Sequence, residues 1–307
     1  MPLLSKKTFI GIKSETTQGV IEAPTSTDYL LAMDVDIKPN IEILERDYSN
    51  TFLDRLAHKI GKKFSTVKFK TELKTTGVAN IPETPFIAAL PACGLINATG
   101  TFSPTSTIQS GMQGPAISAT IYVYKDGFLH SMLGSIGTVK FTLEAGKIGF
   151  AEFEFSGSYV AVVSSANPTP NFGTNAVPIC TGASLTLVGV ATEIATKIEI
   201  DLGNTIAQRD DVNSANGVKG FMITGRSSKG SVDPEVIDAG AWTKLVAGDS
   251  GNTVITLGTS PNQIVFTMAA TQYTDVSYGD RSGILTHSAN LAFNQSTGND
   301  CITVNFN

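Results

Sequence analysis

Lys197-Ile-Glu-Ile-Asp201 alternates charged and apolar side chains without a break. At a period of two, Ile198 and Ile200 share one face and Lys197, Glu199 and Asp201 the other, the pattern of a strand with one side in a core and one in water. The same alternation recurs outward from this stretch. Thr66-Val-Lys-Phe-Lys-Thr-Glu-Leu73 sets Val67, Phe69 and Leu73 on a buried side, and Ile121-Tyr-Val-Tyr-Lys125 runs into Asp126-Gly127, a hairpin turn signal. The final run, Cys301-Ile-Thr-Val-Asn-Phe-Asn307, alternates to its end and needs a partner strand, since an unpaired terminal strand frays. Helix signals are few. Pro82–Leu90 offers two turns with prolines at the start. Asp233–Leu245 offers Asp233 as N-cap, Pro234 at the first helical position and Glu235 and Asp238 near the positive end, with Gly240 as a weak point. The expectation is a mainly β chain with one short helix in each half.

Composition agrees with a β-rich globular chain. Of 307 residues, 41% are hydrophobic and 16% charged, so a core can form while Ser, Thr, Asn and Gly carry much of the surface. The 29 glycines suit many turns. No apolar run reaches the 18 residues of a membrane-spanning helix, and the start, Met1-Pro-Leu-Leu-Ser-Lys-Lys7, lacks the apolar stretch of a signal peptide, so synthesis and folding in the cytoplasm are expected. The net charge of −5 argues against a general DNA-binding protein. The charge is uneven: residues 1–75 hold 12 of the 22 basic residues against 10 acidic, and the rest holds 10 basic against 17 acidic.

An internal repeat is visible. Shifted by 157 positions, Ile37, Ile41-Glu42-Ile43, Asp54, Lys62 and Phe64 fall on Ile194, Ile198-Glu199-Ile200, Asp211, Lys219 and Phe221, seven identities in 28 positions. Ordinary residue usage gives roughly one or two. The order of features repeats as well: a strand, a long polar loop (Arg46–Lys63, then Gly203–Lys219), a second strand, a short helix and apolar-alternating closing segments. Ser164–Pro178, rich in Pro, Asn and Ser, lies between the halves. The expected organisation is a first β domain with an N-terminal arm over residues 1–165, a linker over 166–185 and a second β domain over 186–307.

Catalytic and metal patterns are weak. Cys93, Cys180 and Cys301 form no CxxC pair and read as free, mostly buried thiols. His58, His130 and His287 share no metal spacing and read as surface or interface residues. Gly134-Ser-Ile-Gly-Thr138 misses the spacing of a nucleophile elbow, Gly61-Lys-Lys63 lacks the upstream glycine of a phosphate loop, and Asp34-Val-Asp36 has few neighbouring ligands for a hard cation. No catalytic, cofactor or metal residue is assigned, and no enzyme is expected.

The ordered series Thr196-Lys-Ile-Glu-Ile-Asp-Leu-Gly-Asn-Thr-Ile-Ala-Gln-Arg-Asp-Asp-Val-Asn-Ser-Ala-Asn-Gly-Val-Lys-Gly-Phe-Met-Ile-Thr-Gly-Arg226, Gly230-Ser-Val-Asp-Pro-Glu235, Tyr278-Gly-Asp-Arg-Ser-Gly-Ile284 and Gly298-Asn-Asp-Cys-Ile-Thr-Val-Asn-Phe306 resembles the tail tube proteins of long-tailed bacteriophages. The first half is similar more loosely, through Glu15-Thr-Thr-Gln-Gly19 and Pro82–Gly94. This resemblance implies β-sandwiches with a flanking helix, in rings whose inner sheets join into one continuous β-barrel around a lumen. Rings stack, held by long loops. Six tube domains per ring are usual for the family, so a chain with two implies three copies in a pseudo-hexameric ring. It implies a virion tail component assembled in the host cytoplasm, partnered by copies of itself and by tape measure, tail terminator and distal tail proteins. DNA passes through the lumen without specific binding, and no membrane is involved.

Two residue sets follow. A lumen must pass DNA without holding it, so outward-facing acids on strands are candidates to line it: Glu42 and Glu199, matched under the shift, with Asp201, Glu152 and Glu154. An ordinary solvated sheet face stays open as the alternative. The two long loops are candidates for contact between rings, through Arg46, Asp47, Asp54, Arg55, Lys59, Lys62 and Lys63 in one and Arg209, Asp210, Asp211 and Lys219 in the other; mobile surface loops are the alternative. Other functional readings are a tail terminator or decoration protein, or a carbohydrate-binding or adhesive β-sandwich, for which Tyr122 and Tyr124 are the candidate exposed aromatics.

Overall fold

A computed structural model describes residues 4, 6–49, 51, 54–104, 118–191 and 194–307. The first half runs β1 (Thr8–Ser14), β2 (Tyr29–Leu30), β3 (Ala32–Arg46), β4 (Leu56–Glu72), α1 (Thr84–Ala92), β5 (Leu95–Ala98), β6 (Thr101–Pro104), β7 (Ala119–Lys125), β8 (Phe128–Glu144), β9 (Phe150–Tyr159) and β10 (Val163–Ser164). The second runs β11 (Ser184–Leu187), β12 (Val190–Ala191), β13 (Ala195–Asp201), β14 (Asn204–Asp210), β15 (Val218–Arg226), β16 (Lys229–Pro234), α2 (Gly240–Ala247), β17 (Gly251–Thr259), β18 (Asn262–Arg281), β19 (Ile284–Asn294) and β20 (Thr303–Phe306). Eighteen strands join in one antiparallel network, and β14–β15 form a separate two-stranded sheet.

The alternation read from the sequence sets the core. Val67, Phe69, Leu73, Ile198, Ile200, Ile302, Val304 and Phe306 are buried. Asp126 and Gly127 take φ of 39° and 98°, the two positive values of a tight hairpin turn, between Lys125 and its partner Phe128. Stacked phenylalanines form the centre: Phe69 lies 5.3 Å from Phe153, and Phe153 5.7 Å from Phe155. Phe86 on α1 bridges Phe153 to Phe306 at 6.3 and 5.8 Å, so the last strand, paired with both β18 and β6, closes over the first half. Phe141 and Phe266, 5.0 Å apart, carry the same core into the second half.

The two halves repeat one set of pairings. β1 pairs with β7 as β11 pairs with β17. The meander β7–β8–β9 matches β17–β18–β19. The last strand of each meander returns to the strand that closes its half's opening pair, β9 to β4 and β19 to β16, while β10 and β20 each add to the middle strand. Cross-sheet rows match in burial: Ile37–Val67–Phe155 in one half and Ile198–Val232–Ala289 in the other. These rows set Ile37 beside Ile198, an offset of 161. The 157 shift set Ile41 there, yet Ile41 is 44% exposed whereas Ile37 and Ile198 are buried.

Several expectations need correction. The segments Arg46–Lys63 and Gly203–Lys219 are not loops: most of each is β-hairpin, because Ile43 pairs with Ile60 and Ile206 with Ile223 across antiparallel ladders. Asn50, Phe52 and Leu53 of the first segment lie outside the described residues. The second helix does not start at Asp233. Val232 is buried in the ladder between Ile198 and Ala289, and that packing carries the chain as strand through Pro234. The Asp233 carboxylate accepts the Thr196 and Lys197 backbone N–H groups at 2.9 and 2.8 Å, closing the bulge of β13. The helix begins instead where Asp238 accepts the Gly240 N–H at 2.6 Å, and it ends at Gly248 in the left-handed region (φ 69°). Tyr124 is buried and Tyr122 half-buried, their rings 6.4 Å apart, so they form no exposed aromatic platform.

His287 is likewise not a surface residue. It is buried against Tyr278 and Trp242, with ring centroids at 5.7 and 6.4 Å. Burial holds its pKa below the ordinary value, with Asp238 opposing. The folded state therefore takes up this proton less readily than the unfolded chain, which does so near pH ~6.5, so stability is lost as pH falls from that value toward the lower folded-state pKa. We expect His287→Gln to shrink the difference between urea midpoints at pH 7.5 and 5.5; an unchanged difference refutes the assignment.

Candidate assembly interface

The solvent-facing side of the sheet β3–β4–β9–β8–β13–β16–β19–β18 is built from the alternate residues of its strands. Directly opposed partners share a face, so ladder register gives the surface pattern. One row reads Lys70, Glu152, Lys140, Asp201 and Lys229, alternating in sign across five adjacent strands. A second begins Asp36, Lys68, Glu154. Lys68 meets Glu154 at 2.9 Å, and Glu199 is gripped by Lys140 and Lys197, both at 2.6 Å. Those two lysine hydrogen bonds hold the Glu199 carboxyl below its usual range. Four of the candidate lumen acids, Glu152, Glu154, Glu199 and Asp201, thus share one face, but among lysines. That face is charge-balanced rather than acidic. Glu42 lies apart, on the β3–β4 hairpin, accepting the Lys62 N–H at 3.2 Å. Reversing one member, Lys140→Glu, sets it beside Glu152, Asp201 and Glu199; we expect a loss of about 1 kcal/mol that shrinks at high salt. Urea midpoints at low and high salt measure it.

The loop candidates fall in two environments. On the first hairpin, Arg46 ends β3 with its guanidinium 5.9 Å from the Tyr48 ring, Asp47 follows it, and Arg55 sits 3.7 Å from Glu45 near Asp54. Lys59, Lys62 and Lys63 lie on β4. Beyond them the hairpin exposes Ile41, Ile43, Leu44, Tyr48, Leu56 and Ile60. The second hairpin instead folds across the first half. Val218, Phe221 and Ile223 bury against Ile136, with Phe64 and Ile206 packed alongside. Lys62 meets Asp210 at 2.6 Å and the Lys63 N–H donates to Asn216 at 3.0 Å. Arg209 lies on β14, and Lys219 on β15 stands 3.8 Å from Asp211. Among the described residues, Asp210 and Lys62 are the one pair brought together across the two sets.

The sheet's two ends are what the sequence reading missed. β3 ladders with β4 on one edge, and no described residue ladders with the other. On β18, β17 covers one edge as far as Thr271, while β19 covers the opposite edge from Ala270 to Arg281. Over residues 276–281 the first edge therefore has no ladder partner among the described residues. The matching stretch of β8 is covered: past β7, residues 140–144 pair with β13. An uncovered edge presents free N–H and C=O groups, a template for another strand. Ile41 and Ile43, read as strand residues of the repeat just before the polar segment, were the local signal.

Beneath the sheet, a hollow of about 560 Å³ opens between the halves, lined by Leu143, Leu185, Ile198, Ile255 and Leu257, with Glu144 and Lys197 among its few charged groups. Two uncovered borders beside a charge-balanced polar face are the make-up of a structural β-protein. A family model for phage tail tube proteins matches residues 5–307, and the chain belongs to that family. A search of curated proteins returned no match. No helix among the described residues is long and apolar enough to cross a membrane.

Proposed function

We propose that this chain is the major subunit of the tail tube and forms stacked rings around a lumen that passes DNA. One observation carries the reading: among the described residues, the eight-strand sheet ends in two uncovered edges, β3 on one side and the distal part of β18 on the other. Heterologous edges of this kind close into a ring when successive rotations add to a full turn. The repeated pairings of the two halves support a duplicated tube unit, with the first over 1–165, a connecting segment over 166–185 and the second over 186–307. Three copies then supply six units to a ring.

The polar face, with Glu152, Glu154, Glu199 and Asp201 interleaved with lysines, is the proposed lumen wall. Alternating charge offers a phosphate backbone neither a continuous cationic track nor a strong barrier. The exposed end of the first hairpin, with Arg46, Asp47, Asp54 and Arg55, is the proposed contact to the next ring, and the apolar side chains beside it favour burial there. Tape measure, terminator and distal tail proteins are the partners such a tube requires. Electron microscopy of the purified protein tests the reading: hollow tubes or rings with three chains per layer and Glu152 and Lys140 on the inner wall are expected. A monomer that persists at high concentration, or a tube with this face outward, overturns it.

A further inference from the structure

The chain contains a worked example of its own junction. Between the halves, β13 ladders onto β8 with Ile198 opposite Leu143, Ile200 opposite Phe141 and Asp201 opposite Lys140. The contact continues one step further, where the Leu202 N–H donates to the Val139 carbonyl at 3.0 Å. Leu202 and Val139 are both fully buried there. The matching rows carry this junction onto the free edges. Ile37 takes the place of Ile198, so Ile41 takes that of Leu202. Gly137 pairs with Phe155 as Val276 pairs with Ala289, so Tyr278 takes the place of Val139. Ile41 and Tyr278 are 44% and 63% exposed. Two positions that the internal junction buries thus stand open on opposite borders of one molecule.

We propose that a second copy of this chain fills the β18 edge with its β3, antiparallel, in the register that sets Ile41 opposite Tyr278, Asn40 opposite Gly279 and Lys38 opposite Arg281. The proposal rests on the ring reading above and specifies its seam. Face and charge both suit this register. Ile41 and Tyr278 fall on the core side, where Tyr278 already packs on Trp242 and His287. Arg281 is committed to Asp233 at 3.3 Å and Glu235 at 2.8 Å, one cation between two acids. Lys38 arriving beside it supplies the missing positive charge. Pro39, opposite Asp280, withdraws one donor from the ladder, which an edge strand tolerates.

The seam is tested by paired cysteines. Ile41→Cys with Tyr278→Cys brings two thiols to directly opposed positions, within disulfide reach across an antiparallel ladder. Ile43→Cys with Tyr278→Cys is on the same face but two residues out of register. Each pair is expressed in the full chain, assembled, treated with a diffusible oxidant and run on a non-reducing gel beside the single-cysteine variants, with rings scored by electron microscopy. The matched pair is expected to give a ladder of covalent multimers at least tenfold stronger than the mismatched pair or either single variant. Rings without cross-linking of the matched pair, or equal cross-linking of both pairs, overturn the seam and leave the ring standing. Neither rings nor cross-links from the unsubstituted and variant proteins overturns the ring reading itself.

Discussion

Phe153→Ala is expected to lower the unfolding free energy by about 3–5 kcal/mol, the range for a large aromatic removed from a core that cannot collapse around the gap. Phe153 is fully buried in β9, a strand flanked on both edges by β4 and β8, so backbone movement to fill the void would break two ladders. Its ring contacts Phe69, Phe155 and Phe86, and Phe86 hands the contact on to Phe306 in the last strand. The gap therefore loosens the helix, the sheet and the chain terminus together. Against a total stability of roughly 5–15 kcal/mol, such a loss leaves a marginal fold. Urea unfolding should show a large drop in midpoint at an unchanged slope. A loss below about 1 kcal/mol would mean that the aromatic cluster repacks freely.

Glu15→Ala should cost a similar amount for a different reason. Glu15 is only 3% exposed, and its carboxylate accepts four hydrogen bonds: from the Ser118 and Thr120 hydroxyls at 2.6 and 3.0 Å, and from the Gly134 and Gly19 N–H groups at 2.8 Å each. These donors come from the start of β7, the bulged part of β8 and the turn after β1. One side chain thereby fixes three segments distant in sequence. Alanine leaves three buried donors and one partly buried N–H unpaired, the buried ones at roughly 1 kcal/mol or more each, about 3–5 kcal/mol in all. Glu15→Gln keeps the shape but turns an NH2 group toward donors, so it should fall between alanine and the parent. The order parent, glutamine, alanine in urea midpoint checks the account; an alanine variant as stable as the parent refutes it. The arrangement also explains Glu15-Thr-Thr-Gln-Gly19 as a unit, since Gln18 donates to the Phe221 carbonyl at 3.2 Å and ties this turn to the second hairpin.

How far the sequence could be read depended on how local each feature was. Ile198 and Ile200 were assigned to the core from five residues, because alternation already states which side chains share a face. Asp126-Gly127 announced its own turn. Asp233 misled because its helix-start signals are genuine but weak, and the ladder through Val232 outweighed them. The mixed charges of Arg46–Lys63 and Gly203–Lys219 disguised hairpins, since a strand that projects beyond the core need not alternate cleanly. Four of the five candidate acids share one polar face, yet apart from Lys197 beside Glu199 their lysine neighbours sit on other strands, and no single strand reveals an alternating row.

The chain's own order of residues settled its β class, the buried sides of β4 and β13, the first helix, the tight turn at Asp126 and its membership of the tail tube family. Each is written in neighbours two to four residues apart or in the linear series as a whole. Tertiary structure alone decided that β9 lies between β4 and β8, that His287 is buried, that one hairpin is covered while the other exposes its apolar side chains, and that β3 and the far part of β18 have edges with no ladder partner among the described residues. The physical reason is that a strand's periodicity specifies which face it buries but not which strand it pairs with. Pairing is chosen by burial shared between segments far apart in the chain, and an edge exists only where that sharing stops.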